Sequence, residues 1–148
     1  MSAFELGTDG PTSILVAVDG SRTSLRAAAY AAGLARRQSA KLVVLHVVTH
    51  SGLTSMSAEV SASYQQSQQQ VAAEIEAEML AVAPGLGLED AEFVSVAGDA
   101  YDQIVRAAEA RRVDAVVVGA SESTGHRFVG SLATRLVKAA RWPVTVVP

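Results

Sequence analysis

The chain contains no cysteine. That one absence excludes disulfide staples, thiolate metal sites, iron–sulfur clusters and a cysteine nucleophile together, and it permits a reducing compartment. Positive charge is not in excess either: 12 Lys and Arg against 15 Asp and Glu leave a net charge of −3. No electrostatic footprint for nonspecific nucleic-acid binding is present. No apolar run approaches the roughly 20 residues that a membrane helix needs. The first ten residues, Met1 to Gly10, carry two acids and no base, unlike a secretory signal. The expectation is a soluble cytoplasmic protein with neither nucleic acid nor membrane as partner. The Gly-x-Ser-x-Gly elbow and the Walker ending Gly-Lys-Ser/Thr are both missing. His46, His50 and His126 show no ligand spacing, so no metal site is read.

What is present suits one domain. A chain of 148 residues that is 49% hydrophobic can bury a core without covalent help. After a loose, polar arm over Met1 to Thr12, SILVAVD (Ser13 to Asp19) reads as a buried strand. Asp-Gly-Ser follows it as a turn, with Ser21 as helix N-cap. Leu25, Ala28, Ala29, Ala32 and Ala35 or Arg36 recur at helical spacing, giving a helix over 21–38. KLVVLHVV (Lys41 to Val48) is a second strand, and His50 to Ser57 a loop. A long helix over 58–82 follows, with Val60, Tyr64, Val71, Ile75, Met79 and Val82 as inward positions. A third strand spans 91–96, a helix 101–111, a fourth strand 114–118 and a loop 119–130. A short helix over 131–140 and a fifth strand, Val144 to Val147, complete the chain. Strands alternating with helix-length connections imply an α/β fold: a parallel, doubly wound sheet covered on both faces.

In such sheets ligands bind beyond the carboxyl ends of the strands. The residues there are Asp19, Gly20 and Ser21 after strand one, Thr49 and His50 after strand two, Gly98 and Asp99 after strand three, and the segment from Gly119 to Ser131 after strand four. Gly130-Ser131 stands at a helix start, where free N–H groups and the positive end of the helix dipole suit phosphate. Arg127 and His126 offer positive charge. The plain alternative for Gly130-Ser131 is a turn and a cap. Asp19 likewise has two readings, an acceptor for a base amino group or an Asx-turn. Asp99 reads as a helix cap, and His46 as a hydrogen-bonded structural histidine.

The pieces ILVAVDGS, LVVLHVV, AGDAYDQI, DAVVVGAS and GSLATRLVKAARWPVTVV follow one another in an order and strand context that resemble the universal stress protein family. The resemblance runs from about Ser13 to Pro148. It implies a five-stranded, Rossmann-like sandwich of the adenine nucleotide alpha hydrolase type, and a homodimer through the C-terminal strand, Val144 to Val147. An exposed flat edge there needs covering in any case. It also implies an adenine nucleotide as ligand, ATP foremost and with Mg²⁺ as a possible companion. By position, Asp19 and Val47 would hold the adenine and ribose, and Gly119, Gly130 and Ser131 the phosphates. Gly20, Ser21, Gly98, Val118, Ser121, Gly125, His126 and Arg127 stand in the same segments. The chain departs from the family's Gly-x2-Gly-x9-Gly-Ser/Thr pattern. Glu122 replaces the second glycine, and the loop to Gly130 is two residues shorter. A carboxylate beside a triphosphate is repulsive by on the order of 1 kcal/mol or more. Three functions therefore compete: a nucleotide-binding stress or signalling module that is not an enzyme, a nucleotide-independent dimeric interaction protein, and a slow ATPase.

Overall fold

The computed structural model describes residues 11–49, 57–123 and 126–148. Residues 1–10 of the arm, His50 with most of its loop, and Gly125 lie outside them. Strand β1 (Ser13–Val18) is followed by α1 (Arg22–Gln38), β2 (Lys41–Val48), α2 (Ala58–Val82), β3 (Glu92–Ala97) and α3 (Ala100–Arg111). Then come β4 (Ala115–Gly119), β5 (Ser121–Ser123), β6 (His126–Phe128), α4 (Ser131–Ala139) and β7 (Val144–Val147).

The main sheet has five strands in the order β3-β2-β1-β4-β7, all parallel. Consecutive side chains of a strand point to opposite faces, and β1 shows both destinations. Ile14, Val16 and Val18 pack with Ala27, Ala31 and Ala35 of α1, while Leu15 and Ala17 pack with Ile104 of α3 and Leu136 of α4. Strands buried on both faces have no polar alternate positions, which is why these runs read as continuously apolar. β7 is an outer strand of the sheet, and its four residues are all partly exposed. Among the described residues no helix is long and apolar enough to cross a membrane.

Local capping follows the sequence. The Ser21 hydroxyl accepts from Ser24 N at 3.2 Å, and the Asp99 carboxylate accepts from Asp102 N at 3.0 Å. Two expectations about helix faces are corrected. In α1 the buried positions are Thr23, Ser24, Ala27, Ala31 and Ala35, while Leu25 is exposed. Alanines almost all round the helix blur its stripe, and the small ones settle against the sheet. In α2, Val60 and Val82 are exposed. Ile75 and Met79 pack against the core, and Tyr64 and Val71 are half-buried. Val82 faces outward, while Ala83 beside it is buried in the same core cluster as Ile75 and Met79.

The loop expected over 119–130 is also corrected. It contains an antiparallel ribbon in which Ser121 pairs with Phe128 and Glu122 with Arg127. Three-residue strands are too short for an alternating pattern to show, so serine and glycine content made the segment read as irregular.

Candidate functional site

The sheet order places a reversal between β1 and β4, since the chain winds one way from β1 to β2 and β3, and the other way from β4 to β7. A crevice of about 340 Å³ opens there, beyond the carboxyl ends of the strands. Its floor is apolar: Ala17, Val47 and Val118 from strand ends, Ile104 from α3, and Leu132 and Ala133 from α4. Val47 reaches it because β2 outruns β1. Val18 pairs with His46, so Val47 stands level with Asp19 and on the face that Ala17 shares.

One wall carries Asp19, Ser21, Thr23 and Ser24. Asp19 closes an Asx-turn, its Oδ1 accepting from Ser21 N at 2.9 Å. Gly20 makes that turn with φ at +88°, a conformation side chains disfavour. Burial alone would raise the Asp19 carboxyl. The Ser21 hydroxyl and amide, with the Ser24 hydroxyl, overcome it and hold the group below its ordinary value. A negative acceptor therefore stands at the rim at neutral pH. The structural and the binding reading of Asp19 are compatible, because Oδ2 is not used in the turn.

The lining also includes Gly119, Ser121, Glu122 and Gly130. Both glycines have packing reasons of their own. A Cβ on Gly119 would lie 2.5 Å from the carbonyl carbon of Thr23, where β4 abuts the first turn of α1. A Cβ on Gly130 would collide with the Ser121 hydroxyl. Gly130 is also the N-cap of α4, and no side chain caps the helix there.

The structure thus brings Asp19, Ser21, Val47, Val118, Gly119, Ser121 and Gly130 to one crevice. It places others elsewhere. Ser131 and Gly98 line an adjoining recess with Arg135, which lies 4.2 Å from the Tyr101 ring centroid and 3.5 Å from the Asp99 carboxylate. Gly20 faces Val71 of α2. His126 and Arg127 are exposed on β6 and do not line the crevice, and Phe128 is likewise turned outward. Thr23, Ser24 and Ile104 were not foreseen as wall residues. Ile104 sits at an inward position of α3, and that periodicity was the available signal. Among the described residues no group of three or more His, Cys, Asp or Glu side chains is placed to hold a metal ion.

His46 lies beneath this site on the opposite face of the sheet and is fully buried. Nδ1 bonds to the Ser95 hydroxyl at 2.9 Å, as expected of a structural histidine, while Nε2 has no partner. Burial disfavours the imidazolium. The Asp19 carboxylate and the Gln68 amide, which is near but not in hydrogen-bonding geometry with Nε2, only partly offset it, and the pKa is lowered. The folded state therefore resists a proton that the unfolded chain accepts. Stability is full above the ordinary value of 6.5 and declines as pH falls below it, until the folded histidine itself is protonated. Denaturant titrations should show a decline of at most about 1.4 kcal/mol per pH unit just below that value. The lowered carboxylates act at lower pH. His46→Leu should flatten this slope, and an equal slope in the variant would assign it to other groups.

A parallel α/β domain with a crevice at the switch point of its sheet, lined by an acid and by the N-terminus of a helix, belongs to the doubly wound class, whose ligands bind at that place. Comparison with known proteins narrows this. The family model of the universal stress protein family matches residues 11–148, and the chain belongs to that family. Universal stress protein UspA from Lactobacillus plantarum is similar at 25% identity, with a TM-score of 0.72 over 93% of this chain and 97% of that one. A universal stress protein solved in complex with cAMP matches at 23% identity, with a TM-score of 0.60 over 95% of this chain and 98% of that one. An Arabidopsis thaliana family protein with AMP bound matches at 22% identity, with a TM-score of 0.62 over 93% of this chain and 91% of that one.

Proposed function

We propose that this protein binds an adenine nucleotide in the crevice between β1 and β4, and that it acts by binding rather than by catalysis. The observation that carries the reading is the convergence of Asp19 and Gly130, far apart in sequence, on the lining of one open crevice. Val47 and Ile104 offer a purine an apolar bed. Asp19 accepts a hydrogen bond from the base or ribose. Gly130, without a side chain, lets phosphate approach the uncapped first turn of α4, where the helix dipole favours an anion. Two structural relatives that carry cAMP and AMP support the ligand class. ATP and an accompanying Mg²⁺ belong to the same reading, as does a regulatory role in stress.

Isothermal titration with ATP, ADP, AMP and cyclic AMP tests it. At least one should bind, and Asp19→Ala should weaken that binding about tenfold or more, the scale of a hydrogen bond to a charged partner. Silence from all four at millimolar ligand, in heat and in melting temperature, would remove the reading.

A further inference from the structure

The first half of α2 does not meet the sheet as its second half does. Ile75 and Met79, with the adjoining Ala83, join the apolar cluster. Nearer the start of the helix, Gln65, Gln68, Gln69 and Ala72 are spaced to share one helix face, and they line a hollow of about 360 Å³. Val48, Ser95 and Ala97, at the carboxyl ends of β2 and β3, line its other side. The hollow is as large as the crevice at the switch point and shares no lining residue with it. The two lie on opposite faces of β2, because Val47 floors the crevice and Val48 lines the hollow.

A second observation marks the same place. His46 is completely buried on this face of the sheet, in register with Ser95. Its Nδ1 bonds to Ser95 Oγ at 2.9 Å. Its Nε2 has no hydrogen-bond partner, although the Gln68 amide is near. A buried polar atom left without a partner is rare in a folded protein. Both neighbours of this ring, Ser95 and Gln68, belong to the lining of the hollow.

The geometry points to a second ligand site in this hollow, for a small uncharged polyol of monosaccharide size. Among the described residues, none that lines the hollow carries a charge, so nothing there offsets the cost of desolvating an ion. A carboxamide accepts through its oxygen and donates through its nitrogen. That pair matches two neighbouring hydroxyl groups, each of which also donates and accepts. Gln65, Gln68 and Gln69 supply the match on adjacent turns, and the Ser95 hydroxyl keeps bonding capacity beyond its link to His46. Val48, Ala72 and Ala97 offer apolar surface to the C–H groups of the ligand. The volume falls within the range of small-molecule pockets, about 300 to 1,000 Å³. This site does not depend on the nucleotide reading, since the crevice contributes none of its residues.

The experiment is a heteronuclear NMR titration of the intact protein with glucose, mannitol and the anionic gluconate. Glucose or mannitol should give saturable shifts in the side-chain amide signals of Gln65, Gln68 and Gln69 and in the ring nitrogens of His46. The ring of His126, exposed on β6, should not move. Gluconate should bind at least about tenfold more weakly. Gln68→Ala should weaken the sugar about fivefold or more, the scale of a hydrogen bond. The double variant Gln65→Ala with Gln69→Ala should do the same. Both of its positions are exposed, and a melting temperature equal to the parent's establishes that it is folded. Silence or unsaturable shifts with both glucose and mannitol would overturn the site. So would shifts confined to the crevice residues, or an unchanged affinity in the double variant. Gluconate binding as tightly as glucose would overturn the uncharged ligand class.

Discussion

Gly119→Ala should lower the melting temperature by about 6–12 °C, the equivalent of about 3 kcal/mol in a domain of this size. The added Cβ would sit 2.5 Å from the Thr23 carbonyl carbon, 2.6 Å from its oxygen and 2.7 Å from Ser24 N. All three atoms are backbone, so no rotamer change relieves the clash. Either β4 or the first turn of α1 must shift. That shift would open the seam between the central strands and the helix whose Ala27, Ala31 and Ala35 are completely buried. A loss toward the upper end of the overpacking range follows. Gly85→Ala is the matched control. Its Cβ would meet nothing within 4 Å, and its stability should change by no more than about 0.5 kcal/mol. If the two variants melted together, the close approach of β4 to α1 would be absent in solution. Thermal melting by circular dichroism reads both.

Gly119 also shows where sequence reading reached and where it stopped. Glycine at the end of a strand, in an α/β pattern, pointed to a rim position, and the structure places it there. Its contact with Thr23 was not legible, because that contact depends on how closely two elements about 95 positions apart approach. The strands themselves were readable. Runs such as KLVVLHVV have β-branched or aliphatic residues at six of eight positions, on both faces of the strand, and only a strand covered on both faces accommodates them. Less readable were the helix faces. Alanine fits a close-packed interface and an exposed surface equally well, so the inward stripe of α1 was displaced until the sheet was in place. The β5–β6 ribbon escaped for another reason. Six residues in two short strands carry no periodicity of their own, and cross-strand register, which sets Glu122 opposite Arg127, is a property of the pair. Of the site, the acid and the glycine-serine pair could be located by position after strands. Ser131 was placed correctly at a helix start, yet it opens onto the neighbouring recess, a matter of side-chain direction that spacing does not encode.

Ile104 joins the stability of the fold to the shape of the site. It is fully buried, packs with Leu15, Val47 and Val116 on the α3 face of the sheet, and also forms part of the crevice floor. Ile104→Ala should therefore have two effects. Removing the side chain from a packed interior should destabilise the domain by about 2–5 kcal/mol, depending on how far the surroundings collapse. It should also deepen the crevice floor beneath a bound purine, depriving the ring of dispersion contacts on one face. Leu136→Ala separates the two effects. Leu136 is equally well buried in the same cluster but does not line the crevice. Both variants should melt well below the parent, whereas only Ile104→Ala should weaken nucleotide binding when each is measured far below its own melting temperature. Equal loss of affinity in the two would mean that ligand binding follows global stability. An unchanged melting temperature in Ile104→Ala would contradict the packing itself, because a completely buried β-branched side chain against a sheet cannot be removed without loss of contacts.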